Sequence, residues 1–178
     1  MIIIISGTTH SGKTSLAQKL LEKLNVPYLS IDHIKMGLIR SEYTNLTPLD
    51  DEELTNYLWP IIREIIKTNI ENNQNLIIEG CYIPYNFLDD FEEEYLNNIR
   101  HLFLILSKEY IESRFDDILN FANIIEKRTD DSYLNKSELI NENLRLLENC
   151  IKNNLNYILI NDNYNDTINN LLNNFNDK

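Results

Sequence analysis

Gly7-Thr8-Thr9-His10-Ser11-Gly12-Lys13-Thr14 is the stretch of this chain whose residue types and spacing most directly imply chemistry. Two glycines five positions apart, then a lysine and a hydroxyl, form the pattern G-x-x-x-x-G-K-[ST], in which a bare backbone turns its N–H groups onto phosphate oxygens. Only four glycines occur, Gly7, Gly12, Gly37 and Gly80, and two of them fall at these positions. The positive end of a helix beginning near Lys13 would face a β-phosphate. Lys13 would reach between β- and γ-phosphates, and the Thr14 hydroxyl would ligate Mg²⁺. The expected nucleotide-contacting stretch is Gly7, Thr8, Thr9, His10, Ser11, Gly12, Lys13, Thr14 and Ser15, with ATP and Mg²⁺ as cofactors. His10 sits at a position that tolerates many residues and is given no side-chain chemistry. A plain glycine turn joining strand to helix is the alternative.

Two carboxylates close apolar runs. Glu79 follows Leu76-Ile77-Ile78, where an uncompensated charge is costly to bury, so a metal-bound water or a substrate hydroxyl is a sensible partner. A salt bridge or a local backbone turn is the alternative. Gly80 beside it would let a ligand approach the backbone. Asp32 closes the run from Tyr28 to Ile31 and could equally cap a helix that follows it.

These residues need elements to hold them. Ile2 to Ser6 is a β-branched run of the kind buried on both faces of a parallel sheet, and similar runs recur at Tyr28–Ile31, Asn75–Glu79, His101–Leu106 and Tyr157–Ile160. Between them, helical spacing predicts helices over Thr14–Leu24, His33–Arg40, Thr47 (as N-cap, with Pro48 first) to about Asn72, Tyr85–Asn97, Lys108–Phe121, Ser137–Lys152 and Asp166–Phe175, with a kink at Pro60. Strands alternating with helices indicate an α/β fold with a parallel sheet and right-handed crossovers. No repeat or Pro/Gly/Ser linker divides the chain, so residues 1–178 read as one domain. The Asn-rich tail around Asn169, Asn170, Asn173 and Asn174 reads as a frayed terminus.

The chain of 178 residues carries 16 Lys+Arg against 28 Asp+Glu, a formal charge of −12. That balance argues against tracking a nucleic-acid backbone or an acidic membrane surface, both of which require many cations. A small anionic ligand needs only a few clustered cations and backbone N–H groups. Cys81 and Cys150 lack metal-ligand spacing and read as reduced packing residues. The N-terminal apolar run has no basic flank and is shorter than a signal-peptide core, so a cytoplasmic protein is expected.

A GTPase switch would need an N-K-x-D base-reading element; Asn135-Lys136-Ser137-Glu138 lacks the Asp and opens a helix. Motor and transporter ATPases need more chain. The whole sequence instead resembles the P-loop kinases of the nucleoside-monophosphate-kinase type, and its motifs look closest to zeta-toxin-like and hydroxyl-phosphorylating members. The resemblance rests on Ile4-Ile5-Ser6-Gly7 through Thr14, on Tyr28-Leu29-Ser30-Ile31-Asp32, on Leu76-Ile77-Ile78-Glu79-Gly80, and on Arg114 and Arg128.

The resemblance implies a three-layer P-loop NTPase fold with a five-stranded parallel sheet in the order 2-3-1-4-5, and a lid-like region at about 107–136. It implies catalytic roles for Lys13, for Asp32 as proton acceptor, and for Arg114 and Arg128 as lid cations that stabilise the transferring phosphoryl group. Asp32, Lys35, Arg40 and Glu79 would meet the acceptor, and Thr14 and Glu79 the metal. Adenylate-kinase-like members carry an acidic-Gly-Phe-Pro-Arg stretch where this chain reads Glu79-Gly80-Cys81-Tyr82-Ile83-Pro84-Tyr85. The missing arginine favours a hydroxyl acceptor, on a metabolite or nucleotide sugar, over a nucleoside monophosphate. An adenylate-type kinase is the first alternative and a slowly hydrolysing nucleotide-dependent switch the second. The acceptor's identity, ATP versus GTP and the oligomeric state are not encoded in any motif.

Overall fold

A computed structural model describes residues 1–121 and 135–175. Five strands, β1 (Ile2–Gly7), β2 (Tyr28–Ser30), β3 (Leu76–Glu79), β4 (Ile99–Leu106) and β5 (Tyr157–Ile160), form one all-parallel sheet in the order β2-β3-β1-β4-β5. The helices are α1 (Lys13–Leu24), α2 (Ile31–Arg40), α3 (Asp51–Glu71), α4 (Glu93–Leu96), α5 (Lys108–Phe121), α6 (Lys136–Lys152) and α7 (Tyr164–Asn174).

The isoleucine run of β1 explains the layering. Side chains alternate across a strand, so Ile2 and Ile4 enter the core beneath α3 while Ile3 and Ile5 pack with Leu16, Ala17 and Leu20 of α1. The carbon-only faces on both sides make β1 the central strand. α1 stops at Asn25, whose left-handed φ of 53° turns its N–H onto the carbonyl of Leu21, a common helix ending.

Several elements depart from their expected bounds for local reasons. Thr47 is not the cap of α3: its N–H and hydroxyl both donate to Asp50 Oδ2, at 2.7 and 2.8 Å, and Asp50 takes the N-cap position. These bonds hold the Asp50 carboxyl below its ordinary value. α3 then continues through Pro60. The helix expected over Tyr85–Asn97 is replaced by a 3-10 turn at Phe87–Asp90 and the short α4. Phe87 and Phe91 both lie edge-on to Trp59, with centroids 5.8 and 6.1 Å away, and Trp59 Nε1 donates to Asp90 Oδ2 at 2.6 Å. Seating both phenyl rings on one indole fixes an extended Phe91 between the two turns.

The helix expected over Asp166–Phe175 is present as α7: Asn163 caps it by accepting from the N–H groups of Asn165 and Asp166, and Ile168 is fully buried. Cys150 is a packing residue as expected, but Cys81 is exposed. Among the described residues no helix is long and apolar enough to cross a membrane.

Candidate functional site

The carboxyl edge of the sheet gathers the candidate residues, because β1, β2 and β3 end side by side: Glu79 is the register partner of both Ile5 and Ser30. The phosphate-loop sequence leaves β1 at Gly7 and enters α1 at Lys13. A Cβ on Gly7 would lie 2.5 Å from Ser11 Oγ and 2.6 Å from the Leu104 carbonyl, so the loop can fold this close to β4 only with glycine there. His10 and Gly12 both have left-handed φ, 58° and 86°, and alternation of this kind turns successive N–H groups into a concavity for an anion. The first intrahelical donor is Leu16, bonding Gly12 at 3.0 Å. The N–H groups of Lys13, Thr14 and Ser15 therefore precede the helical ladder and face the loop's opening.

Lys13 is 7% exposed and its Nζ donates to the Thr8 carbonyl at 2.7 Å. Thr14 and Ser15 are half-buried. The Ser15 side chain bonds the Tyr164 hydroxyl, and that hydroxyl donates to the Gly12 carbonyl at 3.0 Å. Burial, partly offset by the Ser15 hydrogen bond, pushes the Tyr164 hydroxyl up to about 12.

Asp32 is not the cap of the second helix. α2 begins one residue earlier, at Ile31, with Ser30 in the cap position, so Asp32 stands in the first turn, where a helix favours negative charge. Its carboxylate pairs with Lys35 on the same face of α2. Lys35 also donates to the Tyr82 hydroxyl at 2.9 Å, and Tyr82 donates on to Asp51 Oδ1 at 3.3 Å. Burial works against the Lys35 charge, but the hydrogen bonds to Asp32 and Tyr82 more than compensate and raise it above the ordinary lysine value. Burial likewise pushes the Tyr82 phenol up to about 12, with Lys35 pulling the other way. Lys35 is thus engaged with Asp32 and Tyr82, which is a different placement from a free cation awaiting an acceptor.

Arg40 is exposed at the other end of α2, eight residues and about 12 Å along the axis from Asp32. Glu79 is 1% exposed at the end of β3. Gly80 serves packing: a Cβ there would meet Ile31 Cβ at 2.8 Å. Arg114 is exposed, ion-paired with Asp117 at 3.2 Å, and sits where the helical path of α5 breaks, at φ −125° and ψ 18°. Arg128 lies outside the described residues, as do residues 122–134 of the lid-like region.

Four residues without a motif join this edge. Tyr82 and Asp51 extend the Asp32–Lys35 pair, and Tyr164 braces the loop. Glu142 of α6 has its carboxyl raised by partial burial and by the nearby Asp51 and Glu138, and it senses Lys13. Among the described residues no cluster of three His, Cys, Asp or Glu could cage a metal. Mg²⁺ takes one or two protein ligands and completes its shell with phosphates and water; the half-buried Thr14 hydroxyl and the buried Glu79 carboxylate have the oxygen chemistry such an ion takes.

No family model and no curated protein matches this sequence. Solved structures do. A deoxyadenosine kinase from M. mycoides, with products dCMP and a flexible dCDP bound, superposes with a TM-score of 0.58 at 15% identity over 97% of this chain and 97% of that one. A shikimate kinase from Bacteroides thetaiotaomicron gives 0.55 at 19% identity, covering 96% of each chain. A gluconokinase from Sinorhizobium meliloti gives 0.53 at 17% identity, covering 96% of this chain and 88% of that one. The chain has the fold of these kinases.

Proposed function

We propose that the protein is a Mg²⁺- and ATP-dependent kinase that transfers the γ-phosphoryl group to a hydroxyl of a small molecule, a metabolite or nucleotide sugar. The observation that carries this reading is the placement at one sheet edge of a complete phosphate cradle, from Gly7 to Thr14 after β1, and of the Asp32 carboxylate at the start of α2, which follows β2 on the far side of β3. A cradle alone would suit any nucleotide-binding protein. A paired carboxylate at the same edge supplies what hydroxyl phosphorylation additionally requires.

In this reading the loop N–H groups and Lys13 bind and orient the triphosphate, and Lys13 leaves the Thr8 carbonyl to do so. Asp32 orients the acceptor hydroxyl and takes its proton as the new O–P bond forms and the bond to the ADP oxygen breaks. Lys35 holds the Asp32 carboxylate aimed, and Tyr82 and Asp51 fix Lys35 in turn. Mg²⁺, held by Thr14 with Glu79 behind it, would supply neutralisation of phosphate charge. Arg114, with Arg128 beyond the described residues, would close the site from the lid side.

A hydroxyl is favoured over a phosphate as the group that accepts the phosphoryl because Lys35 is already paired and Arg40 is remote from Asp32. The test is incubation with Mg²⁺ and γ-labelled ATP against a pooled metabolite extract containing the common nucleoside monophosphates, with the labelled product identified by mass spectrometry. Label in a new phosphomonoester is the expected result. Label in nucleoside diphosphates would replace this reading with an adenylate-type kinase, and label only in inorganic phosphate would favour the switch.

A further inference from the structure

Asn143, in the middle of α6, is 2% exposed although its amide has both donors and acceptors to satisfy. Its Nδ2 donates to the Leu139 carbonyl one turn earlier at 2.8 Å. Its Oδ1 accepts from the Leu106 N–H at 2.8 Å and from the Thr8 hydroxyl at 3.2 Å. One side chain therefore joins the last residue of β4, the second residue of the phosphate loop and the helix that follows the lid sequence.

The Leu106 contact ties α6 to the sheet, and the buried Leu139 and Leu146 already seat that helix. The Thr8 contact adds something else. Thr8 is the residue whose carbonyl receives the Lys13 ammonium at 2.7 Å and the Ser11 N–H at 3.3 Å, so its position sets the loop's turn and the point from which Lys13 moves onto phosphate. The Thr8 hydroxyl has one proton and two acceptors in reach, the Thr9 carbonyl at 3.3 Å and Asn143. Of the two, Asn143 alone references the loop to another element.

We propose that Asn143 is a positioning residue of the phosphate loop: through Thr8 it registers the loop against the end of β4 and makes nucleotide affinity depend on helix α6. This rests on the nucleotide-binding reading above. It does not depend on the acceptor.

Binding of Mg·ATP by the full chain, measured calorimetrically without acceptor, tests it. Thr8→Val removes the hydroxyl at nearly constant shape; it is expected to weaken binding about fivefold, the effect of one neutral hydrogen bond, with a fall in melting temperature of only about 2–4 °C. Thr8→Ser restores the hydroxyl and is expected to restore affinity. Asn143→Ala, or Asn143→Ser should the alanine variant not fold, is expected to weaken binding similarly, and combining either with Thr8→Val should weaken it no further. Unchanged affinity in Thr8→Val overturns the proposal. So do additive losses in the double variant, which would mean that the Thr8 hydroxyl meets phosphate directly. Absence of binding by the unsubstituted chain would instead overturn the kinase reading beneath it.

Discussion

The hydroxyl of Tyr164 donates to the carbonyl of Gly12 at 3.0 Å, joining the first residue of α7 to the phosphate loop across 152 residues of chain. The contact is close enough that a Cβ on Gly12 would lie 2.1 Å from that oxygen. Tyr164→Phe deletes the hydroxyl while keeping the ring. It should weaken Mg·ATP binding about fivefold and lower stability by about 1 kcal/mol, the ordinary worth of one such bond. Gly12→Ala should be far worse, since it adds both overlap with Tyr164 and a strained φ of 86°. Calorimetric titration and thermal melts check both; an alanine variant that melts and binds normally would refute the packing argument.

Lys13→Ala should abolish phosphoryl transfer, by about 10³-fold or more, because Lys13 is the loop's cation and charge neutralisation is the main lever of phosphoryl transfer. The fold should survive, since the residue's one described bond is to the Thr8 carbonyl. Rate measurements beside a circular-dichroism spectrum decide this, and undiminished turnover by a folded variant would remove the kinase reading.

Asp32→Asn should lower turnover by about 10²-fold with little change in ATP affinity. It should also lower the melting temperature, since Lys35 is buried and would lose its ionic partner. Lys35→Met tests the pair from the other side and should reduce turnover through a misplaced Asp32. Turnover unaffected by Asp32→Asn would leave Asp32 as a structural partner of Lys35 alone.

His101 carries a pH dependence of stability. It is packed edge-on against Phe87 at 5.4 Å, its Nε2 accepts from the Asn156 N–H at 3.0 Å, and burial lowers its pKa from the ordinary 6.5. The folded state therefore prefers neutral His101. Its contribution is fully present above 6.5 and is lost as pH falls from that value toward the lowered one. Melting temperature should decline between pH 7.5 and 5, and His101→Leu should flatten the decline; an equally steep decline in that variant would assign the effect elsewhere.

The strands and the phosphate loop were legible because their signals are local. β1 announces itself by four consecutive isoleucines, and the loop by two glycines, a lysine and a threonine in fixed register. Misreadings came where a distant partner decides local structure. Trp59 selects turns over a helix at Phe87–Phe91, and Ile31 packs where a Cβ on Gly80 would lie. Asn143, Tyr164, Asp51 and Glu142 reach the site from α6, α7 and α3 with no spacing to betray them, since their partners are 31 to 152 residues away where hydrogen bonds record them. Lys35 was marked in sequence, but its role as the ionic partner of Asp32 depends on burial and on Tyr82, neither of which is visible along the chain.

Pro60 lies at an exposed position in the middle of α3, the longest of the described helices. Having no N–H, it leaves the Asn56 carbonyl without an intrahelical donor, yet Leu54, Leu58 and Trp59 before it and Ile62 and Ile66 after it are buried in one shared core. The two halves of α3 should therefore open together, so amide hydrogens before and after Pro60 should exchange with similar free energies. The earlier half carries Asp51 and hence the far end of the Asp32 network, so that network is braced by the same core that packs on Ile2 and Ile4 of β1.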